Sequence, residues 1–386
     1  MTFPLLVALL LFIWALLHAL YLERLRSVFV EAVHRSSDQV RMAGMEGRPQ
    51  VSVVVPVRNE EMRIAPLLQD LHAQEMDREG YEVIVVDDGS TDATSTIAKG
   101  MADRWRGLHI ITLHGDEGKK AALVRGCRAA KGLFVLASDG DVRHGPRHLP
   151  RVSARMASGG IDLLLMPVWT VADRGWCQLA QQLEQAALLG AAMGSALIGR
   201  PILANGANLA FRRDLLLDRR RDPLGTNWAS GDDMFMLAAV SARDGAIEAD
   251  PHPDALVRTQ AVSGWRAYFD QRLRWAGKMR AVSIPRTRRV GIATMLLPWS
   301  LAVASFWFGL HITTGQALMR TWSLTILAWG LWCVPIIALV NAVHGAYDQR
   351  TRSLATLTAL CQFTILAPII AVLAIFVRPL WKGRRI

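Results

Sequence analysis

The sequence predicts a parallel α/β domain set between membrane helices, and three observations carry that expectation. Short apolar, β-branched runs alternate with amphipathic stretches between residues 51 and 138. The polar residues of that region collect where the apolar runs end. Four segments, 1–22, 290–319, 321–347 and 353–377, contain no Asp, Glu, Lys or Arg. A bilayer core needs about 20 apolar residues, so each is long enough to cross it. A helix buried in a soluble core is the alternative for any one of them, but four such runs in one chain point to a membrane.

The first segment lacks the basic start of a signal peptide, and its first charges, Glu23, Arg24 and Arg26, follow the apolar run. That order predicts an uncleaved anchor with residues 23 onward in the cytoplasm. The chain then divides into 1–22 (anchor), 23–289 (cytoplasmic domain), 290–377 (about three membrane segments) and 378–386 (basic tail). Three single crossings would leave Arg378, Lys382, Arg384 and Arg385 outside, against the positive-inside tendency. One segment is therefore expected to be re-entrant or interfacial, and 290–319, with Pro298 expected to break it, is the first choice.

Net charge is +11. The clusters Arg219–Arg221 and Arg286, Arg288 and Arg289 fit attraction to anionic membrane lipid beside transmembrane segments. No nucleic-acid module accompanies them, so a nucleic-acid partner is not expected. Four cysteines, Cys127, Cys177, Cys333 and Cys361, show no CxxC spacing, which argues against structural zinc and disulfides and fits a reducing compartment.

Within the middle domain, "VSVVVPVRNE" (51–60) reads as a buried strand stopping at proline. Ile64, Leu67, Leu68 and Leu71 follow at helical spacing. "EVIVVDDGSTD" (82–92) is a second strand ending in acids, with Thr91 or Asp92 expected to cap the next helix. "LHIITLH" (108–114) and "LFVLAS" (133–138) are further strands, with a helix over 118–130 between them. In such sheets ligands bind at the carboxyl ends of strands. Those ends carry Arg58, Asn59 and Glu60, then Asp87 and Asp88, then Asp139 and Asp141. No G-x-G-x-x-G follows the first strand and no G-x-x-x-x-G-K-[ST] occurs, so any phosphate is held by another device.

Asp139 and Asp141, one glycine apart, repel unless a positive charge sits with them. Two carboxylates on such a turn can ligate Mg²⁺ or Mn²⁺, which also binds a diphosphate. A solvated turn is the ordinary alternative for this pair, as it is for Asp87-Asp88-Gly89-Ser90. Downstream, "SGDDMFML" (230–237) opens an apolar helical pattern with two acids, where a plain helix cap is the alternative. "QRLRWAGK" (271–278) carries Gln271, Arg274 and Trp275 as Q-x-x-R-W. His144 and His148, at i and i+4, lack the glutamate of H-E-x-x-H and read as polar lip residues, with His144 a lesser candidate for the metal site.

The order VVVPVRNE, VVDDGSTD, SDGD, GANLAFRR, GDD and QRLRW resembles the membrane-bound family 2 glycosyltransferases, a class including the synthases of cellulose, chitin and hyaluronan and ceramide glucosyltransferase. The likeness covers roughly 51–280, and it implies a GT-A fold, a nucleotide-diphosphate sugar donor, a divalent metal and inversion at the anomeric carbon. Matched position by position, Pro56, Val57, Arg58 and Glu60 would lie beside the nucleoside, and Asp87 or Asp88 would contact its base or ribose. Lys119 would sit near nucleotide or phosphate. Asp139 and Asp141 match D-x-D, with Asp141 the better metal ligand. Asp233 matches the general base, Asp232 replaces the family's glutamate, and Gln271, Arg274 and Trp275 match Q-x-x-R-W. Ala122-Leu123-Val124 stands where the family has A-L-N, so any role of that asparagine is lost.

These roles are chemically coherent. The metal and Arg274 would stabilise charge developing on the leaving diphosphate, and Asp233 would accept the proton of an attacking hydroxyl. Trp275 offers a ring face for an acceptor, with a core tryptophan as the alternative. Residues 175–210, with few charges, read as a buried helix pair or an amphipathic stretch at the membrane surface. The expected activity is transfer of a sugar, a UDP-sugar for preference, to a lipid or lipid-linked acceptor at the inner membrane. A processive polysaccharide synthase and a non-catalytic sugar-nucleotide-binding scaffold are the alternatives.

Overall fold

A computed structural model describes residues 3–35, 50–114, 117–217, 222–225, 231–279, 284–311, 316–347, 349–377, 380–381 and 384–385. The basic residues Arg219–Arg221, Arg378 and Lys382 lie outside this set.

The chain enters through helix α1 (Phe3–Arg35), then alternates β1 (Val51–Val57), α2 (Ile64–His72), β2 (Tyr81–Asp87), α3 (Thr94–Ala102), β3 (Leu108–Thr112), α4 (Gly118–Ala129) and β4 (Phe134–Ser138). After β4 come β5 (Val142–His144), α5 (His148–Ala157), β6 (Leu163–Leu165), β7 (Val168–Val171), α6 (Trp176–Leu197) and β8 (Asn208–Arg212). Then follow α7 (Asp232–Ser241), β9 (Ile247–Ala249), β10 (Val257–Gln260) and α8 (Gly264–Met279). Three long helices follow: α9 (Pro285–His311), α10 (Gln316–Ala346) and α11 (Ser353–Phe376).

The principal sheet has the order β3-β2-β1-β4-β8-β6-β9. β1 pairs in parallel with both β2 and β4, as the βαβ pattern predicts, and β8 enters antiparallel between β4 and β6. A smaller sheet, β5-β10-β7, stands beside it. β1 does not stop at proline: it continues through Pro56 to Val57, which pairs with Asp87. Asp92, not Thr91, serves the start of α3, accepting the backbone N–H of Thr94 at 3.0 Å.

Side chains of a strand alternate between faces. Val53 and Val55 of β1 join the core under α2 with Leu67 and Leu68. Val54 faces the other way, into a core that also holds Leu25 and Phe29 of α1, Leu189 and Met193 of α6, and Trp332 and Leu339 of α10. One apolar core therefore runs from the principal sheet into the long helices.

α1, α9, α10 and α11 are long and apolar enough to cross a membrane. Their outward faces carry exposed Leu10, Phe306, Ile326 and Ile369, as lipid-facing helices do. Two boundaries differ from the expectation. α9 begins at Pro285, taking in Arg286, Arg288 and Arg289, and it runs unbroken through Pro298 to His311. α10 begins at Gln316 and takes in Arg320. The expected edges followed charge alone, and helices extend beyond their uncharged stretch into the interface.

α6 packs closely on its neighbours through Gly190 and Gly194, one turn apart. A Cβ on Gly190 would stand 2.7 Å from Leu339 Cδ1, and one on Gly194 would stand 2.7 Å from the Leu25 carbonyl oxygen. Small residues at i and i+4 let helix backbones approach in this way. Gly194→Ala should therefore lower the thermal midpoint of the protein in detergent, at an overpacking cost of about 1–3 kcal/mol. Gly100→Ala, where the added Cβ meets nothing within 4 Å, is the control; an equal midpoint for both variants would refute this account of α6.

Candidate active site

The acids predicted to matter stand together because parallel strands end together. β1 and β4 are neighbours, so the turn Asp139-Gly140-Asp141 leaves β4 beside the end of β1. Little room is left there for a side chain at Gly140. A Cβ would come within 3.0 Å of Val57 Cγ1 and 3.2 Å of Glu60 Cγ.

Below the turn lies a buried polar chain. Asn208 donates its amide to the carbonyls of Pro167 (2.9 Å) and Ala255 (2.8 Å), so its Oδ1 accepts from His148 Nε2 at 3.1 Å. His148 Nδ1 must then accept from His144 Nδ1 (3.1 Å), and His144 Nε2 from the hydroxyl of Ser138 (3.0 Å), the residue before Asp139. Both imidazoles are neutral in this chain. Burial pushes His148 down to about 4, and burial, with the Arg143 charge beside it, lowers His144 well below the usual histidine range. His144 is thus not a metal candidate; its ring nitrogens are committed to holding the turn.

A cavity of about 1030 Å³ opens above. Of the residues singled out in the sequence, Pro56, Val57, Arg58, Glu60, Asp88, Lys119, Asp139, Asp141, Asp232, Asp233, Gln271, Arg274 and Trp275 all line it. Asp87 does not. Its carboxylate lies buried beneath, accepting the Ser90 N–H at 2.9 Å, and supports the turn rather than the cavity. Asp88 ties three elements instead: its carbonyl accepts from Arg58 Nη1 (2.8 Å) and its Oδ1 from the Gly118 N–H (3.0 Å) at the start of α4.

The acidic motifs meet across Lys119. Its ammonium lies 2.7 Å from Asp139 Oδ1 and 3.2 Å from Asp232 Oδ2. Burial opposes the charge on Lys119, but the attraction of Asp139, Asp232 and Asp233 outweighs it and holds the group above the usual lysine range. Asp232 and Asp233 form the first turn of α7, which starts after Gly231 at φ 91°. Asp233 Oδ1 accepts the Met234 N–H at 2.8 Å. Gly206 passes close by, where a Cβ would be 3.0 Å from Asp232 Oδ2. On the opposite wall, burial presses the Arg274 guanidinium below its usual range while Asp270, Asp139 and Asp141 pull it back up. Arg274 thus lines the same cavity as the D-x-D carboxylates.

Asp139 and Asp141 offer hard oxygen donors of the kind Mg²⁺ and Mn²⁺ take. Among the described residues no group of three His, Cys, Asp or Glu side chains could hold an ion. The pair thus fits an ion whose remaining positions are filled by substrate phosphate and water, not a closed structural site.

Residues that the motifs did not flag also stand here. Glu184 of α6, with Tyr268 and Arg272 of α8, lines the cavity beside Gln271 and Trp275. The Arg272 guanidinium lies 4.5 Å from the Trp275 ring, so one tryptophan face is already covered. Glu184 and Arg200 are the only charged residues between 175 and 210, and that isolation was the available signal.

A mixed sheet whose parallel strands end in carboxylates, an acidic helix start and a basic, aromatic helix lining the same cleft make up a GT-A architecture. The family comparisons agree. The model described as "Glycosyl transferase family group 2" matches residues 134–343, more than half of the chain, and "Glycosyl transferase family 2" matches 52–200. The chain belongs to the family 2 glycosyltransferases, and it is an enzyme of that class. A mannosyltransferase from Pyrobaculum calidifontis, solved with GDP-Man and Mn²⁺, shares the fold at a TM-score of 0.57 and 20% identity, covering 90% of this chain and 100% of that one. Dodecaprenyl-phosphate galacturonate synthase of Rhizobium johnstonii is 32% identical over 35% of this chain. Undecaprenyl-phosphate 4-deoxy-4-formamido-L-arabinose transferase of Pseudomonas aeruginosa is 34% identical over 28%. The matched region spans 39% and 33% of those two relatives' lengths.

The histidine chain has a measurable signature. His148 titrates lower folded than unfolded, so its contribution to stability is complete above about pH 6.5 and is lost as pH falls toward 4. The thermal midpoint should decline across that window, and His148→Gln should flatten the decline. An unchanged pH slope in that variant would contradict the neutral chain.

Proposed function

We propose that this enzyme transfers a sugar from a nucleoside diphosphate sugar, a UDP-sugar for preference, to a hydroxyl of a lipid or lipid-linked acceptor at the cytoplasmic face of the inner membrane, with inversion. The observation that carries this reading is the cavity's two-sided lining. One end holds Arg58, Asp88, Lys119 and the four acids; the other is walled by Leu188, Met193, Ile292, Met295, Ala371 and Ile375 from α6, α9 and α11. A charged donor suits the first end and a lipid suits the second.

The nucleoside lies against Pro56, Val57, Arg58, Glu60 and Asp88. Asp139 and Asp141 hold Mg²⁺ or Mn²⁺, which when bound supplies positive charge to the leaving diphosphate. Arg274 adds to that charge from the opposite wall, and Lys119 is within reach of the same phosphates. Asp233 accepts the acceptor proton as the hydroxyl attacks the anomeric carbon from the face opposite the diphosphate, which inverts it. Asp232, paired with Lys119, stands in the first turn of α7 beside Asp233.

A second reading follows from the relatives' names, which specify polyprenyl phosphates. A phosphate monoester is already anionic near neutral pH and needs no base. The carboxylates Asp232 and Asp233 on the cavity wall argue for a hydroxyl, whose proton must go somewhere. Three carboxy-terminal helices are few to enclose a polymer channel, which favours transfer of one or a few sugars over processive synthesis.

Purified protein in detergent, given Mn²⁺, a panel of UDP- and GDP-sugars and membrane lipid extract, should form a glycolipid detected by mass spectrometry. Asp233→Asn should reduce transfer by about 10²–10⁴-fold, and EDTA should abolish it. Full transfer by Asp233→Asn onto a polyprenyl phosphate would establish the second reading, long products would establish a polymer synthase, and binding without turnover a scaffold.

A further inference from the structure

The closing helix carries an arginine, Arg272, at one of the two unspecified positions of Q-x-x-R-W. Arg272 stands between Gln271 and Arg274, and its side chain is 6% exposed. Its Nε lies 2.8 and 3.1 Å from the two carboxylate oxygens of Glu184, and its Nη2 lies 2.9 Å from Glu184 Oε2. The Tyr268 hydroxyl donates to the same carboxylate at 3.2 Å. From this fixed place Arg272 holds both ends of the motif. Its Nη1 donates to Gln271 Oε1 at 2.5 Å, and its guanidinium lies 4.5 Å from the Trp275 ring and 4.6 Å from the Tyr268 ring.

Glu184 belongs to α6, whose next turns carry Leu188 and Ala192 into the apolar end of the cavity. A bidentate arginine–carboxylate pair has a narrow geometry, so it sets orientation as well as attraction. An arginine held by Glu184 alone could serve stability only; one that also grips Gln271 and covers Trp275 sets where those side chains stand.

We propose that Glu184 is a positioning residue for glycosyl transfer: through Arg272 it holds α8 so that Gln271, Arg274 and Trp275 face the acidic strand ends, in register with the acceptor end. This rests on the glycosyl-transfer reading above. Glu184 touches neither donor nor metal in this role, so its loss should act on turnover and leave nucleotide binding alone.

The test uses the full chain in detergent. Glu184→Gln keeps one hydrogen-bond acceptor and removes the charge, and the pair Glu184→Leu with Arg272→Met removes the buried ion pair without leaving one charge behind. The pair variant should keep a thermal midpoint near that of the unaltered protein. In both variants hydrogen exchange should rise over residues 264–279 and stay unchanged over 51–57 and 134–138. Transfer kcat should fall by up to about 10²-fold while the KM for the sugar nucleotide stays within about 2-fold, which is under 0.5 kcal/mol. Recovery of kcat along with the midpoint in the pair variant, or unchanged exchange over 264–279, would overturn the proposal. Should the unaltered protein turn over no UDP- or GDP-sugar, the transfer reading fails instead, and the exchange measurement still decides whether Glu184 positions α8.

Discussion

Everything at this site depends on how four carboxylates are kept in one cavity wall. Asp139 and Asp141 come from the end of β4, Asp232 and Asp233 from the start of α7, and like charges so near raise one another's cost of ionisation. Lys119 removes that cost by standing between the two pairs, 2.7 Å from one and 3.2 Å from the other. Because the lysine is on α4, its position is set by the strand–helix packing of the sheet and not by a loose surface side chain. The same ammonium that joins the acids also lines the cavity, so it presents positive charge there. One ion pair thus makes the acidic cleft tolerable and partly prepares it for an anionic ligand.

Much of this was legible beforehand, for identifiable reasons. Strands β1, β2 and β4 announce themselves as continuous valine-rich runs because parallel strands are covered on both faces. The cavity residues Arg58, Asp88, Asp139 and Asp141 were found because strand ends are where such sheets bind, so local pattern and site coincide. Asp87 was indistinguishable from Asp88 in sequence: strand alternation sends neighbouring side chains opposite ways, and only the Ser90 contact tells which one turns inward. His144 and His148 looked like half a metal site because i and i+4 spacing is the same for a ligand pair and a hydrogen-bonded pair. What decides is Asn208, 60 residues on, which no local pattern connects to them.

The membrane helices were legible in number and less so in extent. Charge-free runs gave the four segments, but α9 carries three arginines in its first turns, and its proline costs less than expected because a helix among other helices can satisfy the freed backbone groups. α6 shows the deeper limit. Its composition is that of a buried or interfacial helix, and it is neither a span nor part of the sheet: it packs against α1 and α10 through Gly190 and Gly194 while lining the cavity with Glu184 and Leu188. That double duty is tertiary, and no periodicity encodes it.

The continuity of the core has a mechanical consequence. Because α6 meets the backbone of α1 at Leu25 and the side chains Leu339 and Val343 of α10, and the same apolar cluster includes Val54 and Val86 of the sheet, the sheet and the long helices are packed into one core. Close-packed interiors transmit displacement and do not deform smoothly. On the proposed reading, a lipid acceptor would therefore meet acids held by the same packed core that carries the apolar lining of α6, α9 and α11, and not a freely swinging domain.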